Sequence, residues 1–169
     1  MRVLWLVGWV SLMLAGCATP TTAPQSLLDN SAITGSSPQP EWQGRISVQV
    51  QGDHPTSMSA SFLLRGDPKN GTLNLYSPLG TTLGALQWTS QWVQLNDGAN
   101  PQYFNSLAEL TDKVTGAALP VEAIFGWLQG QQTQAPGWLA DLSAASQGSL
   151  SARRIAPAPE VMLRIKLDQ

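Results

Sequence analysis

Cysteine, histidine and charged residues are all scarce in this sequence. It has one cysteine, Cys17, and one histidine, His54. A single cysteine excludes an internal disulfide. Catalytic and metal sites need clustered His, Cys or carboxylate groups, and the segment around His54, "GDHPTS", resembles no nucleophile motif. We therefore expect no catalytic residue, no metal and no cofactor.

The charge balance restricts the classes of partner that the protein can bind. Charged residues make up 12% of the chain, with 9 basic and 11 acidic side chains. This leaves no basic surface of the kind that binds nucleic acid. The sequence also has no glycine-rich phosphate loop. We expect no nucleic-acid partner, and any direct membrane contact must depend on apolar side chains.

The first residues have the layout of an export signal. Arg2 precedes an apolar run from Val3 to Leu14, which is shorter than the about 20 residues of a membrane-spanning helix. The segment "LAGC" at residues 14–17 resembles the bacterial lipobox, whose cysteine is lipidated after cleavage. We predict a signal peptide at residues 1–16 and lipid attachment at Cys17. An Asp directly after the lipidated cysteine resembles an inner-membrane retention signal, and this chain has Ala18 there instead. We therefore expect the protein to be anchored in the outer membrane, facing the periplasm.

Residues 17–40 are rich in Thr, Pro, Ser and Gln, with "SLLDNSAI" as a short apolar interruption. We interpret them as the lipidated N-terminus and a flexible tether with a reach on the order of 25 Å. Residues 41–169 then form one domain.

Apolar and polar residues alternate through most of this domain, which predicts strands with one apolar side. The segments are "GRISVQVQ", "SMSASFLLR", "TLNLY", "TTLGALQW", "QWVQLND", "GWLADL", "GSLSARRI" and "VMLRIKLD". Short connections between them favour an antiparallel sheet.

Two short helices interrupt the strands. The first has a capping box, with Ser106 as N-cap and Glu109 three residues later, and ends at Gly116. The second has Pro120 near its start and Gly130 beyond its end. The spacing of their apolar residues predicts that each helix is apolar on one side only. That side must pack against another part of the protein. We therefore predict a mainly β protein: a curved antiparallel sheet or half-open barrel with two short helices across its mouth.

Two features have more than one interpretation. Five tryptophans follow the signal peptide, at positions 42, 88, 92, 127 and 138, and they either pack a closed core or line a cavity for an apolar ligand. A closed core would suit a structural or scaffold lipoprotein with a protein-binding surface. Arg153 and Arg154 fit either a docking patch or a solvated strand end.

The segment "YSPLGTT" sets a leucine at the tip of a tight turn. Ser77, Pro78 and Gly80 suit the first, second and fourth positions of a type I turn. Leu79 then points away from the turn. An isolated exposed leucine is ordinary, so the turn alone assigns no function.

Taken together, the lipobox, "WQGRISV", "SPLG", "LTDKVTGAALPVEAIFGWLQG", "GW" and "VMLRIKLD" resemble the LolB family of outer-membrane lipoprotein receptors. The resemblance implies a half-open barrel with a helical lid around an apolar cavity. It also implies a monomeric receptor that takes lipoproteins, by their acyl chains, from the periplasmic carrier LolA and inserts them into the outer membrane.

The resemblance and the alternation together suggest three sets of site residues. The membrane-insertion loop would be Pro78, Leu79 and Gly80. The acyl-chain cavity would be lined by Ile46, Val48, Met58, Phe62, Leu73, Leu75, Leu83, Trp92, Val161, Leu163 and Ile165. The lid would use Leu107, Leu110, Val121, Ile124, Phe125 and Leu128.

Overall fold

A computed structural model describes residues 39–168 of the protein. The predicted signal peptide, Cys17 and the tether as far as residue 38 lie outside the described residues. Those assignments, and the domain boundaries drawn from them, stay predictions.

The described part of the chain consists mainly of strands. They are β1 (Glu41–Val50), β2 (Thr56–Gly66), β3 (Gly71–Tyr76), β4 (Thr82–Trp88), β5 (Val93–Asn96), β6 (Gln102–Phe104), β7 (Trp138–Asp141), β8 (Ser149–Arg154) and β9 (Val161–Leu167). Two helices, α1 (Leu107–Thr115) and α2 (Val121–Leu128), lie between β6 and β7. A single 3₁₀ turn, Ala145–Gln147, precedes β8.

The nine strands form one antiparallel sheet in the order β6-β5-β4-β3-β2-β1-β9-β8-β7. β1 lies near its centre and pairs with both β2 and β9. Within the described residues β6 and β7 remain the two edges, so the sheet does not close into a barrel. The predicted fold class, an open antiparallel sheet with a helical cover, is confirmed.

The alternation in the strands places one apolar face on the inside of the sheet. On β9, for example, Val161, Leu163 and Ile165 are buried whereas Arg164 and Lys166 are exposed. Both helices pack over this inner face, and the buried residues of strands and helices form a continuous hydrophobic core. The core is therefore the layer between the sheet and the helices.

Helix α1 begins and ends as its sequence predicts. The Ser106 hydroxyl accepts the Glu109 amide at 3.1 Å, and Gly116 ends the helix at φ 81°, in the left-handed region that glycine favours. The Glu109 carboxylate accepts the amide of Asn105, one residue before the N-cap, at 3.0 Å. Each of the two side chains satisfies an amide at the start of the helix.

Helix α2 differs from its prediction, because it is not one-sided. All six residues from Ala123 to Leu128 are buried. The loop that follows packs against the helix: the Trp127 indole donates to the Thr133 carbonyl at 2.8 Å, and Thr133 fills the space beside Gly126. A pattern of apolar residues along one helix does not reveal a covering loop. The sequence also failed to predict β6, whose three residues are too few to show alternation.

Replacing Ser106 with alanine tests the anchoring of α1. Ser106→Ala removes the acceptor for the Glu109 amide, so we expect the free energy of unfolding to fall by about 1 kcal/mol. The midpoint of chemical denaturation measures this. Ser90→Ala is the matched control, since the Ser90 side chain is exposed and makes no hydrogen bond to the residues described here. Equal stability of the two variants would contradict the capping role.

Candidate functional site: an apolar cavity and an exposed leucine turn

A cavity of about 250 Å³ lies between the sheet and α1. Its walls come from β1 to β5, from α1 and from the segment between the helices. The lining residues are Ile46, Met58, Leu73, Leu75, Leu83, Gly84, Leu86, Leu95, Asp97, Leu110, Thr111, Val114, Thr115 and Leu119.

The polar groups in this wall are already satisfied. The Thr111 hydroxyl accepts the Leu119 amide at 3.0 Å, and the Thr115 hydroxyl lies 2.8 Å from the Thr111 carbonyl. Asp97 is exposed and accepts hydrogen bonds from Gln102 and Ala99. Because no buried side-chain polar atom among the described residues lacks a partner, the cavity offers an apolar ligand a hydrocarbon surface.

The mouth of the cavity is marked by apolar side chains that reach solvent. Leu83 is 47% exposed and Val114 is 41% exposed, although both line the cavity. The Thr56 hydroxyl donates to the Thr115 carbonyl at 2.8 Å, which fixes the end of α1 at the end of the sheet where β2 begins. The mouth therefore opens at that end.

The turn that carries Leu79 lies at the same end of the sheet, between β3 and β4. The Gly80 amide donates to the Ser77 carbonyl at 2.9 Å, which confirms the predicted four-residue turn. The Ser77 hydroxyl accepts the amides of Leu79 and Thr81, each at 3.2 Å. These bonds hold the turn while the Leu79 side chain stays 94% exposed.

The residues predicted for the cavity separate into three groups. Five line it: Ile46, Met58, Leu73, Leu75 and Leu83. Five others, Val48, Phe62, Val161, Leu163 and Ile165, are buried in the core. Trp92 lines a separate groove near the first residues of α1 and α2, together with Trp88, Leu107 and Val121.

The cavity wall also includes residues that were not predicted for it. Leu86 and Leu95 follow the strand alternation, so the signal for them was present. Gly84 has no side chain to signal its position, and Thr111 and Thr115 are polar residues of a helix. Of the predicted lid residues only Leu110 lines the cavity, while Ile124, Phe125 and Leu128 of α2 are buried in the core.

Aromatic packing explains why α2 leaves no space beneath it. The Phe125 ring lies 5.6 Å from that of Trp42 and 6.3 Å from that of Trp88, both in edge-on geometry. The Trp127 ring lies 6.3 Å from that of Trp138. Three of the five tryptophans, Trp42, Trp88 and Trp138, therefore pack against α2, a fourth, Trp127, belongs to it, and none of the five lines the cavity under α1.

The described residues offer little support for a metal site, a histidine-based catalytic site or a membrane-spanning helix. Residues 39–168 contain no group of three or more His, Cys, Asp or Glu side chains placed to hold a metal. His54 is exposed in the turn between β1 and β2. No helix among these residues combines the length and the hydropathy needed to span a bilayer.

The family model described as "Outer membrane lipoprotein LolB" matches residues 39–155 of the chain. The chain belongs to the LolB family. Membership confirms the resemblance and the predicted outer-membrane localisation. Lipid attachment at Cys17 concerns a residue outside the described ones and stays a prediction.

Several proteins named "Outer-membrane lipoprotein LolB" are similar to this chain. That of Ralstonia nicotianae is 31% identical over 144 residues, which cover 84% of this chain and 67% of the relative. That of Serratia proteamaculans is 29% identical, with 82% and 70% covered. That of Neisseria meningitidis is 29% identical, with 72% and 61% covered. The chain thus matches roughly two thirds of the length of its LolB relatives.

Filling part of the cavity should weaken binding of an apolar ligand. A Cβ built on Gly84 lies 3.3 Å from Leu95 Cδ1, so a larger side chain at position 84 enters the cavity. We expect Gly84→Leu to weaken binding of an environment-sensitive apolar dye and its displacement by palmitate, both followed by fluorescence.

The matched control is Ala85→Leu. Ala85 is the next residue of β4 and does not line the cavity, so this variant should bind the dye as the parent does. Circular dichroism of both variants verifies folding. Undiminished dye binding by a folded Gly84→Leu protein would show that the cavity is not the binding site.

Proposed function

We propose that the protein is an outer-membrane receptor that accepts lipoproteins from the periplasmic carrier LolA, holds an acyl chain under α1, and releases the cargo into the outer membrane. The observation that carries the proposal is the aliphatic cavity, which opens at the end of the sheet that bears the exposed Leu79 turn. Membership of LolB, a family that acts in lipoprotein localisation, supports the same role.

The size of the cavity limits how much cargo it shelters. Drug-sized ligands occupy pockets of about 300–1,000 Å³. An acyl chain of about 15 methylenes is at least that large, whereas the cavity measures about 250 Å³. The cavity therefore holds part of one chain as it stands, and a longer segment requires the cover to move.

Helix α1 is the cover that can move. Its only buried residues are Leu110 and Thr115, whereas six of the eight residues of α2 are buried. Beyond its apolar face, α1 is tied to the sheet by the Thr56–Thr115 hydrogen bond and by Lys113, whose ammonium contacts Gln102 and the Phe104 ring. Displacing α1 breaks few contacts and leaves the core around α2 intact.

Incomplete burial is useful to a protein that must release its cargo. Burying an acyl chain is worth about 0.8 kcal/mol per methylene, or roughly 12 kcal/mol for about 15 methylenes. A receptor that realised the whole of this free energy would compete with the bilayer. Sheltering part of a chain leaves the bilayer as the more favourable site, so transfer proceeds without nucleotide hydrolysis.

A direct transfer assay tests the proposal. A soluble Cys17→Ala form is mixed with LolA carrying a labelled lipoprotein, and the label on each protein is counted after separation. We expect the cargo to move onto this protein. If it remains on a LolA preparation that delivers to another receptor, the proposal fails.

Leu79→Glu should impair delivery while leaving acceptance unchanged. Leu79 is 94% exposed, so the substitution should change stability by less than about 0.5 kcal/mol. A leucine that enters the bilayer contributes about 1.5–3 kcal/mol, so we expect cargo release into phospholipid vesicles to slow roughly tenfold or more. Tyr103→Glu is the matched control, because Tyr103 is 69% exposed on the edge strand β6. Normal release by Leu79→Glu would exclude a membrane role for this leucine.

A further inference from the structure

The register of the strands brings a second apolar turn to the end of the sheet that carries Leu79. Val161, the first residue of β9, pairs with Val50 at the end of β1, and Val50 pairs with Thr56 at the start of β2. The turn at residues 155–160, between β8 and β9, therefore leaves the sheet beside Thr56. Tyr76, the last residue of β3, pairs with Ser61 of the same strand β2. The Leu79 turn thus leaves on the Thr56 side as well.

The turn at residues 155–160 exposes apolar groups and no charge at its tip. Ile155 is 56% exposed, and Ala156, Pro157 and Ala158 are also exposed. Between Arg154 and Glu160 the sequence "IAPAP" has no ionisable side chain. Removing such a surface from water is favourable.

Side-chain hydrogen bonds from Arg153 and Arg154 hold the turn at residues 155–160 in place. Arg153 donates through Nε and Nη2 to the two carboxylate oxygens of Glu160, at 2.7 and 2.9 Å. These bonds lower the pKa of the Glu160 carboxyl, so the pair stays ionised at neutral pH. The buried Arg154 guanidinium donates twice to the Pro159 carbonyl, at 3.1 and 3.2 Å. A turn that is already ordered loses less conformational entropy when it meets a partner.

The first described residues lie at the opposite end of the sheet. The Pro40 carbonyl accepts the amide of Gly66, the last residue of β2, at 3.0 Å. The two ends of β2 are roughly 35 Å apart. The first described residues therefore lie about one strand length from the mouth of the cavity, and contacts at the mouth itself decide how closely it approaches a bilayer.

We propose that the turn at residues 155–160 is a second bilayer contact that acts together with the Leu79 turn to hold the mouth of the cavity against the membrane. This inference rests on the proposed function, which places Leu79 in the membrane. Four strand spacings separate the two turns, about 19 Å across the sheet. Along β2 they leave the sheet at Thr56 and Ser61, five positions or roughly 17 Å apart. A partner that contacts both turns must therefore present an extended apolar surface, and a bilayer does so. The family model ends at Ile155, so the match itself does not imply this contact.

Site-specific fluorescence tests the contact in the lipidated protein. Cys17 is the only cysteine, and once acylated it offers no free thiol, so a cysteine introduced elsewhere takes up a dye alone. Ile155→Cys, Leu79→Cys and the control Tyr103→Cys are labelled with an environment-sensitive dye. The proteins are reconstituted into vesicles of phosphatidylethanolamine with a minor fraction of phosphatidylglycerol and a nitroxide-labelled phospholipid.

We expect blue-shifted emission and nitroxide quenching at positions 155 and 79, and neither at position 103. Quenching at 79 without quenching at 155 overturns this inference and leaves the proposed function standing. Absence of quenching at both positions overturns this inference and the membrane role of Leu79, whereas the transfer assay tests receptor function separately. A dye at 155 that responds to LolA but not to vesicles would assign the turn to the carrier and overturn the membrane contact.

Introducing a charge at position 155 gives a second test. Ile155→Glu in the soluble Cys17→Ala form should weaken vesicle binding roughly tenfold, whereas Ile155→Leu should preserve it. Because Ile155 is exposed, both variants should fold. Equal vesicle binding by the two would contradict the proposal.

Discussion

The contact of Phe125 with Trp42 and Trp88 fixes helix α2 on the sheet. This contact determines which part of the inner face is packed with side chains and which part contains the cavity. The three rings fill the inner face between β1 and β4, and Trp127 and Trp138 close the other side of α2. With that half of the inner face occupied, the space that remains lies under α1. The molecule thus has a densely packed half around α2 and a half under α1 that contains the cavity.

In the proposed mechanism, this division separates stability from function. The buried layer around α2 supplies the hydrophobic free energy, and displacement of α1 leaves this layer intact. The same sheet carries both halves, and the threonine hydroxyl bonds keep the wall under α1 apolar while α1 stays weakly attached. A binding site that has to give up its ligand benefits from such a weak cover more than from a complete one.

Sequence reasoning reached the architecture because local rules determine it. Alternation marked the strands, Ser106 and Gly116 marked the ends of α1, and the turn chemistry of Ser77 and Gly80 placed Leu79 outside. It did not locate the cavity, because every inward residue of a curved sheet has the same alternation. Val48 is buried at 1% exposure and Ile46 lines the cavity, although they are neighbours on one face of β1.

Long-range packing accounts for what local patterns missed. Arg154 looked like a surface residue, yet it is buried because the chain folds back and presents the Pro159 carbonyl to its guanidinium. The complete burial of α2 likewise depends on Thr133, which is beyond the helix in sequence. Neither partner is identifiable from the spacing of residues within one element.

The two short edge strands have a consequence for how the protein behaves among its neighbours. An open sheet exposes unpaired backbone groups at its edges, and long exposed edges are templates for aggregation and strand swapping. Here β6 has three residues and β7 has four, so neither offers enough backbone for a foreign strand to align stably. The sheet of the described residues remains unclosed, while its short edge strands limit edge-to-edge pairing. An outer-membrane lipoprotein receptor is thereby protected against edge-to-edge aggregation with its neighbours.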